Sequence, residues 1–260
     1  MIESIMHARL ASEPMANAEY VLAPHVVLLC LQDGTGRLLD LGGNFYALSQ
    51  SAATMLSGAL TEGTAATIRK MTTIYQLELA CIERDLHIFL HGLEKKQLIY
   101  RPTTSCRSQQ QRGRRSSLIL LPLLHCMHSW PSSLQTKIWV FLALTYVALR
   151  LSGWPATVEI WRNFLHSKAK SAALTRADDE IKMIGETVQT VASRHLLRVE
   201  CKERALCCWG LLHLFGVPAR LVVGIDLFPL ASHCWCESGD MIMSDEEDRC
   251  QDFTPVLVYE

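Results

Sequence analysis

Residues 102–117, PTTSCRSQQQRGRRSS, constrain the fold more than any other stretch of this chain. They contain four arginines, no acid and no aliphatic side chain. Such a stretch has nothing to bury in a core and reads as a linker. A chain of 260 residues divided in this way is expected to fold as two units, each with its own core. The expected organisation is an N-terminal extension at 1–19, a small domain at 20–101, the linker at 102–117 and a larger domain at 118–260. A solvated tether is the economical reading of the basic run, although its arginines also suit RNA or a phosphorylated partner.

The segment before the linker has its own order. HVVLLCLQDGTGRLLDLGGNFYALS reads as two or three short strands, with Asp33-Gly34 and Gly42-Gly43 supplying the turns. Three helical stretches follow. SQSAATMLSGAL opens on serines suited to an N-cap, and GTAATIRKMTTIYQ follows Gly63. LACIERDLHIFLHGLEKKQL sets Ile82, Leu86, Phe89, Leu90 and Leu93 on one face. Strands followed by three helices predict a small winged-helix-like domain. A recognition helix for nucleic acid should be strongly basic. The third helix instead balances Glu83, Asp85 and Glu94 against Arg84, Lys95 and Lys96, and the whole chain carries a net charge of −1. No nucleic-acid partner is expected. The edge of the small sheet offers an extended peptide a place to add as a further strand.

Beyond the linker the pattern is helical to about residue 215 and then β, so the overall class is α+β. The apolar run IWVFLALTYVAL at 138–149 has twelve residues, whereas a membrane span needs about 20. A buried helix is expected there, and no membrane association. TRADDEIKMIGETVQTVASRHLL starts with Thr175 and acids in its first turn, with a stripe of Ile181, Ile184, Val188, Val191 and Leu196. PARLVVGID, SHCWCES and DMIMSD read as strands, with Ser238-Gly239 as a turn. The first twenty residues show no apolar core flanked by positive charge, so the expected location is cytoplasmic, with the ten cysteines as thiols. Cys207, Cys208, Cys234, Cys236 and Cys250 do not form a CxxC…CxxC pattern, and no metal site is expected.

One group of residues points to chemistry. Cys201 falls in or next to the first turn of the helix in VECKERALCCWGLLHLFG. A thiol there is drawn toward the thiolate by the unpaired N–H groups and the helix macrodipole. Alternation in SHCWCES puts His233, Trp235 and Glu237 on one face of a strand and Cys234 and Cys236 on the other. Asp245 is expected to end the next strand, within reach of His233. This is the layout of a thiol nucleophile, its base and the group that orients the base. On the residues alone, Asp240, Glu246, Glu247 and Asp248 compete with Asp245, and Cys201 and His233 could equally be packed structural residues.

CKERAL (201–206), GVPARLVVGI (216–225), SHCWCESGD (232–240), Asp245 and DFTP (252–255) together resemble the B proteins of bacterial lasso-peptide (microcin-like) biosynthesis. These are leader peptidases with a transglutaminase-like fold. The intervals of 32 residues from Cys201 to His233 and 12 from His233 to Asp245 fit that family's catalytic triad. Residues 20–101 resemble the PqqD-like leader-recognition domain, carried by GRLLDLGGNFYALSQSAATML. Cys234 and Cys236 depart from the small or aliphatic residues usual in the family's strand. The resemblance implies a cysteine endopeptidase with Cys201, His233 and Asp245 as catalytic residues. It implies a leader held by strand addition along Phe45, Tyr46, Ala47 and Leu48, backed by the third helix. The implied partners are a ribosomal precursor peptide and a lasso cyclase resembling asparagine synthetase. With no GxxxxGK[ST] in the chain, no cofactor is expected here, and ATP and magnesium are assigned to the cyclase. Two other readings of the same residues are an acyltransferase that passes the thioester to an amine, and a non-catalytic leader-binding adaptor.

Overall fold

The computed structural model describes residues 5–9, 18–102, 133–168, 178–227 and 230–260. The chain forms two compact units, Met1–Gln110 and Gln111–Glu260. Most of the expected linker, the apolar run LILLPLL and the helix start at Thr175 lie outside the described residues.

The first unit opens with β1 (Ile5–Arg9), β2 (Val21–Leu22), β3 (Val26–Leu31), β4 (Gly36–Asp40) and β5 (Asn44–Leu48). An antiparallel sheet runs in the order β1-β3-β4-β5. The strand β1 comes from residues read as an extension, and it pairs with β3 from Ile5 opposite Leu31 to Arg9 opposite Leu28. Both expected turns are present. Asp33 Oδ1 accepts the Thr35 N–H at 2.8 Å, and Asp40 Oδ1 accepts the Gly42 N–H at 2.7 Å, so each aspartate closes the bend on itself. The chain then enters α1 (Gln50–Thr61), α2 (Thr64–Tyr75) and α3 (Leu79–Lys95). Ser49 caps α1 by accepting the Ala52 N–H at 3.2 Å; such a cap contributes about 1 kcal/mol. Ile82, Leu86, Leu90 and Leu93 of α3 are buried against Val26, Leu28, Leu38 and Leu56, with Phe89 partly buried beside them. The unit closes where β6 (Ile99–Tyr100) pairs with β2 and Arg101 donates to the Tyr20 hydroxyl at 2.6 Å.

The second unit contains α4 (Leu134–Lys168), α5 (Asp178–Ser193), α6 (Cys201–Leu214), β7 (Arg220–Leu227), β8 (Leu230–Ser238), β9 (Met241–Ile242), α7 (Glu247–Gln251) and β10 (Thr254–Tyr259). Its antiparallel sheet runs β10-β7-β8-β9. The strand β10 lies outside the sequence expectation, which stopped at the DFTP motif. The apolar run at 138–149 belongs to a helix far longer than its twelve residues. α4 breaks at Gly153, whose φ of 76° only glycine adopts without strain, and Pro155 follows in the first turn of the second arm, where its missing N–H costs nothing. Among the described residues this is the helix long and apolar enough to cross a bilayer. It nonetheless buries Ile138, Phe141, Leu142, Trp154, Val158 and Trp161 inside the unit, with Phe141 and Trp161 rings 5.6 Å apart. Its role as a core helix rests on that burial and not on a short length. Trp154 Nε1 donates to the Tyr259 hydroxyl at 3.0 Å, which ties α4 to β10.

In α5 the expected stripe holds for Ile181, Ile184 and Val188 and fails at Leu196, which is 88% exposed. The helix ends at Ser193, so the 3.6-residue phase no longer applies three residues later. α6 packs on α4 and β8 and is buried on nearly all sides from Ala205 to Leu212. That environment accounts for an apolar composition with little amphipathic pattern.

Candidate active site

Three elements bring Cys201, His233 and Asp245 together. Cys201 is the first residue of α6, where the first four backbone N–H groups of a helix have no intrahelical partner and the macrodipole is positive. The helix start is itself fixed. Glu200 and Glu203 form a reciprocal capping box, with the Glu200 N–H donating to Glu203 Oε2 at 3.0 Å. His233 lies mid-strand in β8, opposite Gly224 of β7, and is 3% exposed. Its ring is flanked by Trp235 at 6.0 Å and Phe253 at 5.0 Å. Trp235 is in turn held by its indole N–H, which donates to Glu237 Oε1 at 2.7 Å, and Glu237 pairs with Arg220 across the strands at 2.9 Å. His233, Trp235 and Glu237 therefore share a face, as the alternation predicts.

Asp245 arrives differently from the expectation. The strand does not run to residue 245, because β9 consists of Met241 and Ile242 alone. Side chains and a single backbone bond extend the pairing beyond it. The Met243 N–H donates to the Cys236 carbonyl at 2.8 Å, and Ser244 Oγ accepts the Cys236 N–H at 2.9 Å. From the other side, Gln189 of α5 donates to the carbonyls of Met243 and Asp245, both at 3.4 Å. Gly185 lets α5 come this close, since a Cβ there would stand 2.5 Å from the Met243 carbonyl oxygen. The loop thus delivers Asp245 Oδ2 to 3.0 Å from His233 Nε2, in a contact turned off the line of an ideal hydrogen bond. Such angles tighten when a substrate binds. Of the acids weighed, Asp240, Asp245, Glu246, Glu247 and Asp248, it is Asp245 that an ion pair joins to His233.

The electrostatics follow from these contacts. Burial pushes the Cys201 thiol up. The hydrogen bond and charge of His233, the Cys234 backbone N–H and the nearby Lys202 more than reverse this, and the thiol ends below its ordinary value. Burial alone would lower the His233 pKa, but interactions with Asp245 first, then Cys201 and Cys250, push it up to about 11. Asp245 is raised by burial and drawn back below the usual carboxylate value by His233, Arg204 and the Glu246 N–H. A thiolate–imidazolium pair with an ionised carboxylate behind it is the consistent state of this trio. With Nε2 against Asp245, Nδ1 is the ring nitrogen left to serve the thiol.

Three neighbours have no role in the sequence expectation. Arg204 donates to Asp245 Oδ2 at 2.6 Å, Ser244 anchors the loop, and Cys250 helps to raise the His233 pKa. Arg204 was legible in principle, because the spacing C-x-x-R puts it on the same helical face as Cys201. The thiols of Cys201, Cys207, Cys208, Cys234, Cys236 and Cys250 are free. Among the described residues no three His, Cys, Asp or Glu side chains are grouped to hold a metal ion. In the first unit, Phe45, Tyr46, Ala47 and Leu48 lie on β5, which has a neighbour on one side only among the described residues. Lys96, just past α3, stands 4.6 Å over the Tyr46 ring.

Residues 143–258 match the family model of the transglutaminase-like superfamily. That span covers the second arm of α4 and everything that positions Cys201, His233 and Asp245, so the second unit carries a transglutaminase-like domain. No curated protein and no solved structure matches the chain.

Proposed function

We propose that this protein is a cytoplasmic leader peptidase of lasso-peptide maturation, acting through Cys201, His233 and Asp245. One observation carries the reading. A thiol at the first residue of a helix lies beside a buried histidine that draws it toward the thiolate, and Nε2 of that histidine meets a buried carboxylate at 3.0 Å, all within a transglutaminase-like domain.

In this mechanism the Cys201 thiolate attacks the carbonyl at the leader–core junction. Backbone N–H groups at the start of α6 face the developing oxyanion. The His233 imidazolium gives its proton to the departing core amine, leaving the leader as a thioester on Cys201. Neutral His233 then takes a proton from water, the hydroxide displaces the thiolate, and the pair is restored. Asp245 keeps the imidazole in the tautomer that serves the thiol and stabilises its charged form.

The first unit supplies substrate selection. The side of β5 that has no neighbour among the described residues takes the leader along Phe45–Leu48 as an added strand, with main-chain bonds for affinity and side-chain pockets for register. The freed core amine passes to an ATP- and magnesium-dependent partner cyclase resembling asparagine synthetase, which closes the ring.

The test is mass spectrometry of a synthetic precursor incubated with the protein and with Cys201→Ala, each with and without the cyclase. Leader release by the wild type and none by Cys201→Ala, with leader binding retained, is the expected result. Cleavage that persists in Cys201→Ala moves the nucleophile elsewhere and ends this reading. A product heavier by an added amine identifies acyl transfer, and leader binding with no cleavage by any form identifies an adaptor.

A further inference from the structure

We propose that Arg204 is a positioning residue of this site: its guanidinium holds the Asp245 carboxylate ionised and turned toward His233, and through it sets how much of Cys201 is thiolate. The inference rests on the proposed working triad and adds a fourth member to it.

Arg204 lies three residues after Cys201 on α6, so one helical face presents the thiol to His233 of β8 and the guanidinium to the loop that carries Asp245. Its Nη2 donates at 2.6 Å to Asp245 Oδ2, the oxygen that His233 Nε2 meets at 3.0 Å. The other oxygen, Oδ1, accepts the Glu246 N–H at 3.0 Å. The Asp245 side chain is 6% exposed, and a carboxylate buried to that degree keeps its charge only against cations, here His233 and Arg204, so losing the guanidinium moves it toward the protonated form. As a neutral acid it would give an imidazolium little support. A guanidinium does not deprotonate in the accessible range, so the anchor holds at any pH at which the site works. Arg249 cannot replace it, because its side chain is 59% exposed and stands 3.9 Å from Oδ1.

The charged and titratable groups around the trio are few. α6 contributes Cys201, Lys202 and Arg204, β8 contributes His233 and Cys234, and α7 contributes Arg249 and Cys250. α5 contributes the uncharged Gln189. Of these, Arg204 makes the shortest contact to the carboxylate.

The rival is an ion pair that merely ties α6 to the loop. Removing such a tie lowers stability and leaves the titration of the folded site unchanged. The experiment is the pH dependence of Cys201 alkylation by iodoacetamide in the full-length protein, read by peptide mass spectrometry. The forms compared are wild type, Arg204→Met, Arg204→Gln, Arg204→Lys, Asp245→Asn and the double variant Arg204→Met/Asp245→Asn. Arg204→Met and Arg204→Gln are expected to move the midpoint up by about one pH unit, a roughly tenfold slower reaction below both midpoints. Arg204→Lys should recover most of that shift. In the Asp245→Asn background, Arg204→Met should add nothing, because its effect runs through the carboxylate. A wild-type midpoint in either neutral variant that folds, or a further shift on top of Asp245→Asn, overturns the proposal. Since alkylation needs no peptide substrate, a precursor left uncleaved by the wild type would count against the peptidase and not against Arg204.

Discussion

One carboxylate oxygen of Asp245 faces two cations, and that arrangement governs the pH behaviour of the site. The Asp245 pKa is lowered from 3.8, so its contribution to folding is present above pH 3.8 and is lost as pH falls through the native value. The His233 pKa is raised from 6.5 to about 11. Its contribution is complete below pH 6.5 and is lost as pH rises toward 11. Thermal unfolding across pH should therefore show a stable plateau between these limits, and Asp245→Asn should remove both its acid limb and most of the histidine's contribution. An Asp245→Asn protein with the wild-type pH profile would mean that the contact carries no charge. Within the plateau Cys201 should be alkylated well below pH 8. Cys207, Cys234 and Cys236, pushed up by burial, should stay unreacted in the native protein. Cys201 and His233 could be picked out from residue type and spacing. Residue type alone left Asp245 level with Asp240, because a loop and not a strand carries it, and the resemblance of the motif set was needed to choose it.

At the scale of elements, the site depends on how closely α5 approaches the loop at 243–245. Gly185 has a backbone carbonyl where a Cβ would be, 2.5 Å away, and backbone cannot swing aside as a flexible side chain can. Gly185→Ala should cost about 1–3 kcal/mol of stability, the usual penalty for overpacking. It should also slow Cys201 alkylation near neutral pH by pushing Asp245 from His233, as denaturant unfolding and peptide mass spectrometry would show together. A stability loss with unchanged alkylation would mean that the loop follows the helix without disturbing the trio. Periodicity located α3 and α5 because each buries a stripe against a neighbour, while α6, buried on nearly all sides, shows no such stripe. It could not foresee that β9 ends after two residues, since Ser244 and Gln189 replace the missing ladder from outside the strand. Nor could it find β1 and β10, short segments defined by their partners β3 and β7.

For the whole molecule, the proposed division of labour makes the leader a recognition element and the second unit the site of chemistry. Tethering the cleavage site through a bound leader acts as an effective concentration and raises apparent affinity by about 10²–10⁴-fold. A precursor truncated to the core and a few flanking residues should therefore lose most of its kcat/KM, chiefly through KM. Equal cleavage of truncated and full-length precursors would separate the first unit from substrate capture. Local sequence was enough for the α+β class, the helical and strand-rich regions, the turns at Asp33-Gly34 and Gly42-Gly43, and the cysteine and histidine worth testing. These follow from local propensity and spacing, which the chain carries wherever it folds. The fold settled that a loop and not a strand brings Asp245 to His233, that Arg204 shares its oxygen, and that α4 bends at Gly153 and buries residues of both arms in the core. Those outcomes depend on residues far apart in sequence meeting at 2.6–3.0 Å, and no periodicity encodes such a meeting.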